Sequence, residues 1–252
     1  MGSLWLDPPE DPNVYPMKGQ PTLPFDDTML TDAKSFPDEC WASDFRSILF
    51  LIEFTQTPDW PNLIRQGIVF PPKVDSLDMK EALKDLVKFQ AARDQSLDEI
   101  LAQNTEFQFY FCSQLSIYPR SYPKSHLLLK CVARIGELVM VNLKRRYASK
   151  SVRPSHIYPR LTPPVPVPGH PSYPSGHATV SHLLALAADA IVPKLGDAAD
   201  KLARRIAVNR EIAGLHFWWD SIAGKKAAEN TYKVIKTMPS YNDYLNAAKA
   251  EW

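Results

Sequence analysis

The sequence predicts an all-α protein: one helical bundle behind an irregular N-terminal arm. Three observations carry that reading. Apolar residues recur at helical spacing through most of residues 38–252. No run alternates apolar and polar residues as a half-buried strand does. The long irregular stretch inside the domain, residues 154–174, is so rich in proline that it suits neither a helix interior nor a central strand.

Taken in order, residues 1–37 are rich in Pro and Asp and show no sustained period. They are expected to run extended over the surface or onto a partner chain, an arrangement that admits a homodimer. ECWASDFRSILFLIEFTQ (39–56) suits a mainly buried helix. In SLDMKEALKDLVKFQAARDQ (76–95), Ser76 is placed to cap a helix whose Leu83, Leu86 and Val87 share one face. SLDEILAQNTEFQFYFCSQLSI (96–117) holds one or two more helices. Ser125 is expected to cap HLLLKCVARIGELVMVNLKRRY (126–147). This is the longest apolar helix candidate, and Lys130, Arg134 and Glu137 interrupt it, which speaks against a membrane span. After the proline-rich loop, three helices fit at about 175–193, 197–213 and 217–236, with a short one at the C-terminus. No repeat or linker divides residues 38–252, so they form one domain.

The composition is that of a globular protein: 252 residues, 45% hydrophobic and 23% charged. A formal net charge of +1 supplies no bulk field for nucleic acid or acidic membranes. Cys40, Cys112 and Cys131 are far apart and lack metal-ligand spacing, so they are expected to be reduced structural thiols. The first residues lack a basic start and an apolar core, so the expected location is cytoplasmic.

Three segments carry chemistry. RYASKSVRP places six residues between Arg146 and Arg153-Pro154. PSGH runs from Pro174 to His177. NREIAGLHFWWD spaces Arg210, His216 and Asp220 with five and then three residues between them. Arginine forks suit the equatorial oxygens of a phosphoryl group. Ser175 and the Gly176 N–H, at a helix start, add neutral donors for an anion. One histidine can attack while the other protonates the leaving group. Asp220, four residues after His216, can hold one ring nitrogen protonated and free the other. None of this requires a metal.

Together these segments resemble the signature of the type 2 phosphatidic acid phosphatase and vanadium haloperoxidase superfamily: Lys-six-Arg-Pro, Pro-Ser-Gly-His, Arg-five-His-three-Asp. The resemblance implies a helical bundle of that type. It implies that Arg153 and Arg210 bind the oxyanion, with hydrogen bonds from Ser175 and Gly176. His177 would be the general acid. His216 would be the nucleophile of a metal-independent phosphatase, or the vanadate ligand of a haloperoxidase, with Asp220 orienting it. The substrate would be a small phosphate ester or diphosphate, with no cofactor, or with vanadate in the second activity. Arg146 stands where the family has lysine, and Lys150 is near enough in sequence to take its place. That departure weighs against the haloperoxidase and keeps a non-catalytic oxyanion-binding role as a third reading. His170 weighs the other way, because algal bromoperoxidases carry a histidine in a similar place. Outside the motifs, His182 is expected in the core or an interface, and His126 and His156 on the surface. Trp218 and Trp219 either pack or wall the substrate, and Tyr173 packs the loop on the bundle.

Overall fold

A computed structural model describes residues 41–252. The arm expected at 1–37, its boundary at residue 38 and Cys40 lie outside the described residues. The elements are α1 (Ser43–Gln56), α2 (Trp60–Leu63), α3 (Leu77–Ala91), α4 (Leu97–Ala102), α5 (Phe107–Gln114), α6 (Pro123–Tyr147), α7 (Pro154–Ile157), α8 (Gly176–Ile191), α9 (Gly196–Ile212), α10 (Trp218–Ile235) and α11 (Pro239–Lys249). Among the described residues there is no strand, and no helix is long and apolar enough to cross a membrane. The fold is all-α, as the periodicity predicts.

Local chemistry sets most helix ends. The Ser76 hydroxyl accepts the Met79 N–H at 3.2 Å and starts α3. On that helix Leu86 enters the core, Leu83 is half-buried and Val87 turns outward. Helix α6 starts two residues before the expected cap, because Pro123 has the φ of a first helical turn and no N–H to leave unpaired. Ser125 is buried there instead. Its amide and hydroxyl donate to the Glu251 carboxylate at 2.8 and 2.7 Å, tying the C-terminus to α6.

Helix α8 is the centre of the bundle. Helices α6, α9 and α10 pack around it, while α1 and α11 pack on the outer side of α6. A helix enclosed this way must be apolar or small all round. Ala178, Val180, Leu183, Leu184, Ala187 and Ala188 are accordingly buried. Close approach is built in at Gly224 of α10, where a Cβ would stand 2.8 Å from the Ser175 carbonyl oxygen and 3.0 Å from the Thr179 nitrogen. Cys112 and Cys131 are buried free thiols, pushed up to about 12 by burial, as expected of structural cysteines.

The proline-rich loop after α6 is not wholly irregular. It contains α7 and a 3₁₀ turn at Pro159–Leu161. Arg93, in the 3₁₀ turn that follows α3, holds it down. Its guanidinium donates to the carbonyls of Leu161 and Thr162 at 2.9 and 2.7 Å, and to Ile212 of α9 at 3.1 Å. The loop is thereby fixed over the ends of α6, α8 and α9, where the three sequence motifs meet.

Candidate active site

Helix α9 ends in a Schellman motif. Gly214 takes φ +75°, its N–H donates to Glu211 O at 2.8 Å, and the Leu215 N–H donates to Arg210 O at 3.0 Å. This reversal turns His216 back beside Arg210. Helix α10 begins two residues later, and Asp220 in its first turn accepts the Phe217 N–H at 3.2 Å. A carboxylate at a helix start is favoured by the unpaired N–H groups there.

His216 and Asp220 form a buried pair, with Nδ1 and Oδ2 3.0 Å apart. Ser172 also donates to Asp220 Oδ2. On the other side of the ring, Arg153 Nη1 lies 3.1 Å from His216 Nε2. An arginine N–H can only donate, so Nε2 is the acceptor and the proton sits on Nδ1, facing Asp220. Electrostatics agree. Burial, then Arg153, Lys144, His177 and Arg210, hold His216 well below the ordinary histidine range, so the ring is neutral. Burial pushes Asp220 up to about 6, with Ser172 and the Phe217 N–H opposing it. At neutral pH it is a carboxylate.

Nε2 faces a cavity of about 420 Å³ whose wall also holds Arg153, Arg210, His170, Gly176 and His177. Two arginines and three imidazoles, against the single carboxylate of Glu137, suit an oxyanion better than a cation. Burial pushes both guanidinium groups down to about 10, so both stay charged at neutral pH. Arg153 has its donors engaged: beyond His216, it donates to Leu215 O at 2.9 Å and His170 O at 3.1 Å. Arg210 does not. It donates to Ile100 O at 2.7 Å, but its buried Nε has no partner. An unpaired buried donor is costly, and an anion would satisfy it. His177 Nε2 lies 2.8 Å from the Gln103 carbonyl, and its ring stacks on Phe107 at 4.2 Å. Burial, then Arg210, pushes His177 down to about 3.

Of the residues singled out in the sequence, the structure brings His216, Asp220, His177, Arg153, Arg210, Gly176 and His170 together. His170 Nδ1 is 3.1 Å from Arg153 Nη2. Ser175 stands apart in one respect. It is fully buried and its Oγ accepts the Ala178 N–H at 3.3 Å, so it serves as the cap of α8 and not as cavity wall. Arg146 and Lys150 are not at the cavity. Both are exposed, and the Lys150 ammonium sits 4.2 Å over the Phe70 ring. The reason is helical phase. Helix α6 continues through Tyr147, so Arg146 points about 200° away from Lys144 around the axis.

Lys144 is the lysine the sequence reading missed. It lies on the face of α6 that carries Glu137 and Met140, both of which line the cavity. The ammonium is buried beneath the loop and donates to the carbonyls of Pro171, Ser172 and Pro174 at 2.7, 2.8 and 2.8 Å. Burial, then Arg153, pushes it down to about 7, with Asp220 opposing. The three carbonyl acceptors favour the protonated form. Ser172 was also missed, although it stands three residues before Ser175 in HPSYPSGH. Trp218 and Trp219 do not wall this cavity. Trp219 is buried, and Trp218 faces solvent on another side of α10. Tyr173 packs the loop as expected, its hydroxyl donating to Val69 O at 2.5 Å. His182 is buried, 3.8 Å from Asp200.

No family model matches the chain, and no curated protein matches it. Among solved structures it is similar to one described as the first transmembrane PAP2-type phosphatidylglycerolphosphate phosphatase from Bacillus subtilis. The identity is 18%, the TM-score is 0.36, and the match covers 75% of this chain and 92% of that one. At that TM-score the functional reading is left to the geometry of the site itself.

Proposed function

We propose that this protein hydrolyses phosphate or diphosphate esters through a phosphohistidine on His216, without a metal. The observation that supports this most is His216. Its Nδ1 proton is held by Asp220 and its Nε2 lone pair faces a cavity with Arg153 and Arg210 on the wall. In this reading a phosphoryl oxygen takes over the Arg153 N–H now directed at Nε2, and Arg210 receives a second oxygen. The Nε2 lone pair forms the N–P bond as the P–O bond to the leaving group breaks. His177 gives its proton to the leaving oxygen. Water then attacks phosphorus, passes a proton to His177, and the N–P bond breaks. A phosphate dianion beside His177 opposes the burial and the Arg210 charge that depress it, so substrate binding itself arms the acid.

A second reading, a vanadate-dependent haloperoxidase, draws support from His170 on the cavity wall. His216 Nε2, Arg153 and Arg210 fit vanadate as they fit phosphate, and bound vanadate would supply peroxide activation. Against it stands Lys144, whose three hydrogens are committed to backbone carbonyls. No lysine ammonium is on this wall for peroxide.

The test is a paired assay on the purified chain. A phosphomonoester should be hydrolysed in the presence of a chelator, and low vanadate should inhibit it. With vanadate, bromide and peroxide, bromination of a diketone should be poor. Absent hydrolysis with efficient bromination would overturn the first reading in favour of the second, and absence of both would leave oxyanion binding alone.

A further inference from the structure

A second, separate surface is built around the exposed end of α10. The loop at Gly67–Pro72 and the first turns of α10 enclose a shallow groove of about 360 Å³. Its rim is apolar yet open: Val69 is 75% exposed, Ile222 61%, Trp218 50% and Phe70 47%. Side chains of that size are seldom left together in water without a partner. The patch does not belong to the site already described, whose cavity shares none of these residues.

Cations surround it. Lys226 lines the groove, its ammonium 3.9 Å from the Glu229 carboxylate outside the lining. Lys150 lies over the Phe70 ring at 4.2 Å. Phe70 meets Tyr147 edge-on at 4.9 Å; the exposed Arg146 is next to Tyr147 in the chain, and the exposed Arg65 stands two residues before Gly67 of the groove. The groove lining contains no carboxylate and no side-chain amide. Pro71 and Pro72 also remove two backbone donors from its edge. A protein partner needs directed hydrogen bonds as well as apolar contact. This surface offers an aromatic and aliphatic wedge ringed by Lys and Arg, with few directed donors. That is the chemistry of an interface with anionic lipid headgroups, where aromatic rings and snorkelling cations sit at the boundary.

We propose that this face, centred on Val69, Phe70, Trp218 and Ile222 and rimmed by Arg65, Arg146, Lys150 and Lys226, docks the protein peripherally on an anionic phospholipid surface. The net charge of +1 does not oppose this, since attraction to headgroups is local and falls off within a Debye length. The inference does not depend on the catalytic reading.

The experiment is co-sedimentation of the full chain with phosphatidylcholine vesicles, with and without phosphatidylserine. The chain should sediment with the mixed vesicles, stay in solution with phosphatidylcholine alone, and be released by salt. Val69→Asp with Ile222→Asp should weaken partitioning by about tenfold or more, since each change removes a side chain that would enter the interface. Lys150→Glu with Arg146→Glu should weaken it about fivefold or more per charge. Far-UV circular dichroism checks that these exposed substitutions keep the fold. No sedimentation with phosphatidylserine vesicles would overturn the proposal, as would sedimentation indifferent to both variants. If the Val69→Asp, Ile222→Asp pair instead dissolves a dimer seen by sedimentation velocity, with no vesicle binding by the parent chain, the occupant is a second copy and the lipid proposal fails.

Discussion

Asp220 receives three donors on one oxygen: Ser172 Oγ, His216 Nδ1 and the Phe217 N–H. Its proton therefore controls the pair. Protonating Asp220 removes the acceptor that fixes the His216 tautomer, so kcat/KM should fall as pH drops through about 6. Ser172→Ala takes away a hydrogen bond that favours the carboxylate. Bonds to charged groups contribute about 1.5–3 kcal/mol, so the acid limb should move up by about one to two pH units. The pH profile of kcat/KM for the variant checks this; an unmoved limb would mean that Asp220 is not the titrating group. His177 makes a different prediction. A positioned acid matters most when the leaving group is poor, and its loss costs about 10²–10⁴ in rate. His177→Ala should lose that factor on an alkyl phosphate and much less on an activated aryl phosphate. Equal losses on both would remove His177 from the acid's role.

At the scale of the element, α6 decides which cation serves the site. Reading Arg146 by its spacing to Arg153 treats the connection as fixed. The chain instead spends residues 148–150 on a 3₁₀ turn and then extends, so the α6 cation held under the site's loop is Lys144 and not Arg146. Sequence spacing could not register that turn, although Glu137, Met140 and Lys144 already share a face at i, i+3 and i+7. Lys144→Met leaves three carbonyls without their donor. Unpaired buried groups cost about 1–3 kcal/mol, so thermal unfolding should register a loss in that range, and turnover should fall because Ser172 lies in the released loop. Arg146→Ala should change neither by more than about 0.5 kcal/mol or its equivalent in rate, as for other surface positions. The reverse pattern would restore the motif spacing as the guide.

For the molecule as a whole, the parts legible in sequence are those fixed by local rules. The helical class and the four C-terminal helices followed from periodicity, His177 from the PSGH start of α8, and Arg210, His216 and Asp220 from short spacing across the α9–α10 junction. What stayed hidden depends on packing between distant segments. Phe107 on His177 and Gln103 beneath it are set by how α4, α5 and α8 meet, and no local pattern marks them; Lys144 under the loop shows in sequence only as part of a shared face of α6. The same holds for Ser175, whose motif suggests an anion donor while the bundle uses it as a cap. The account of the whole molecule rests on one covalent event: transfer of the phosphoryl group to His216 Nε2. Rapid mixing with a radiolabelled phosphate ester, quenched into base and followed by peptide mapping, measures it directly. The account predicts an acid-labile, base-stable phosphate on the peptide containing His216, absent from His216→Ala, which should keep its fold and lose turnover. Hydrolysis by the parent chain with no covalent phosphate, or turnover retained by His216→Ala, would contradict it.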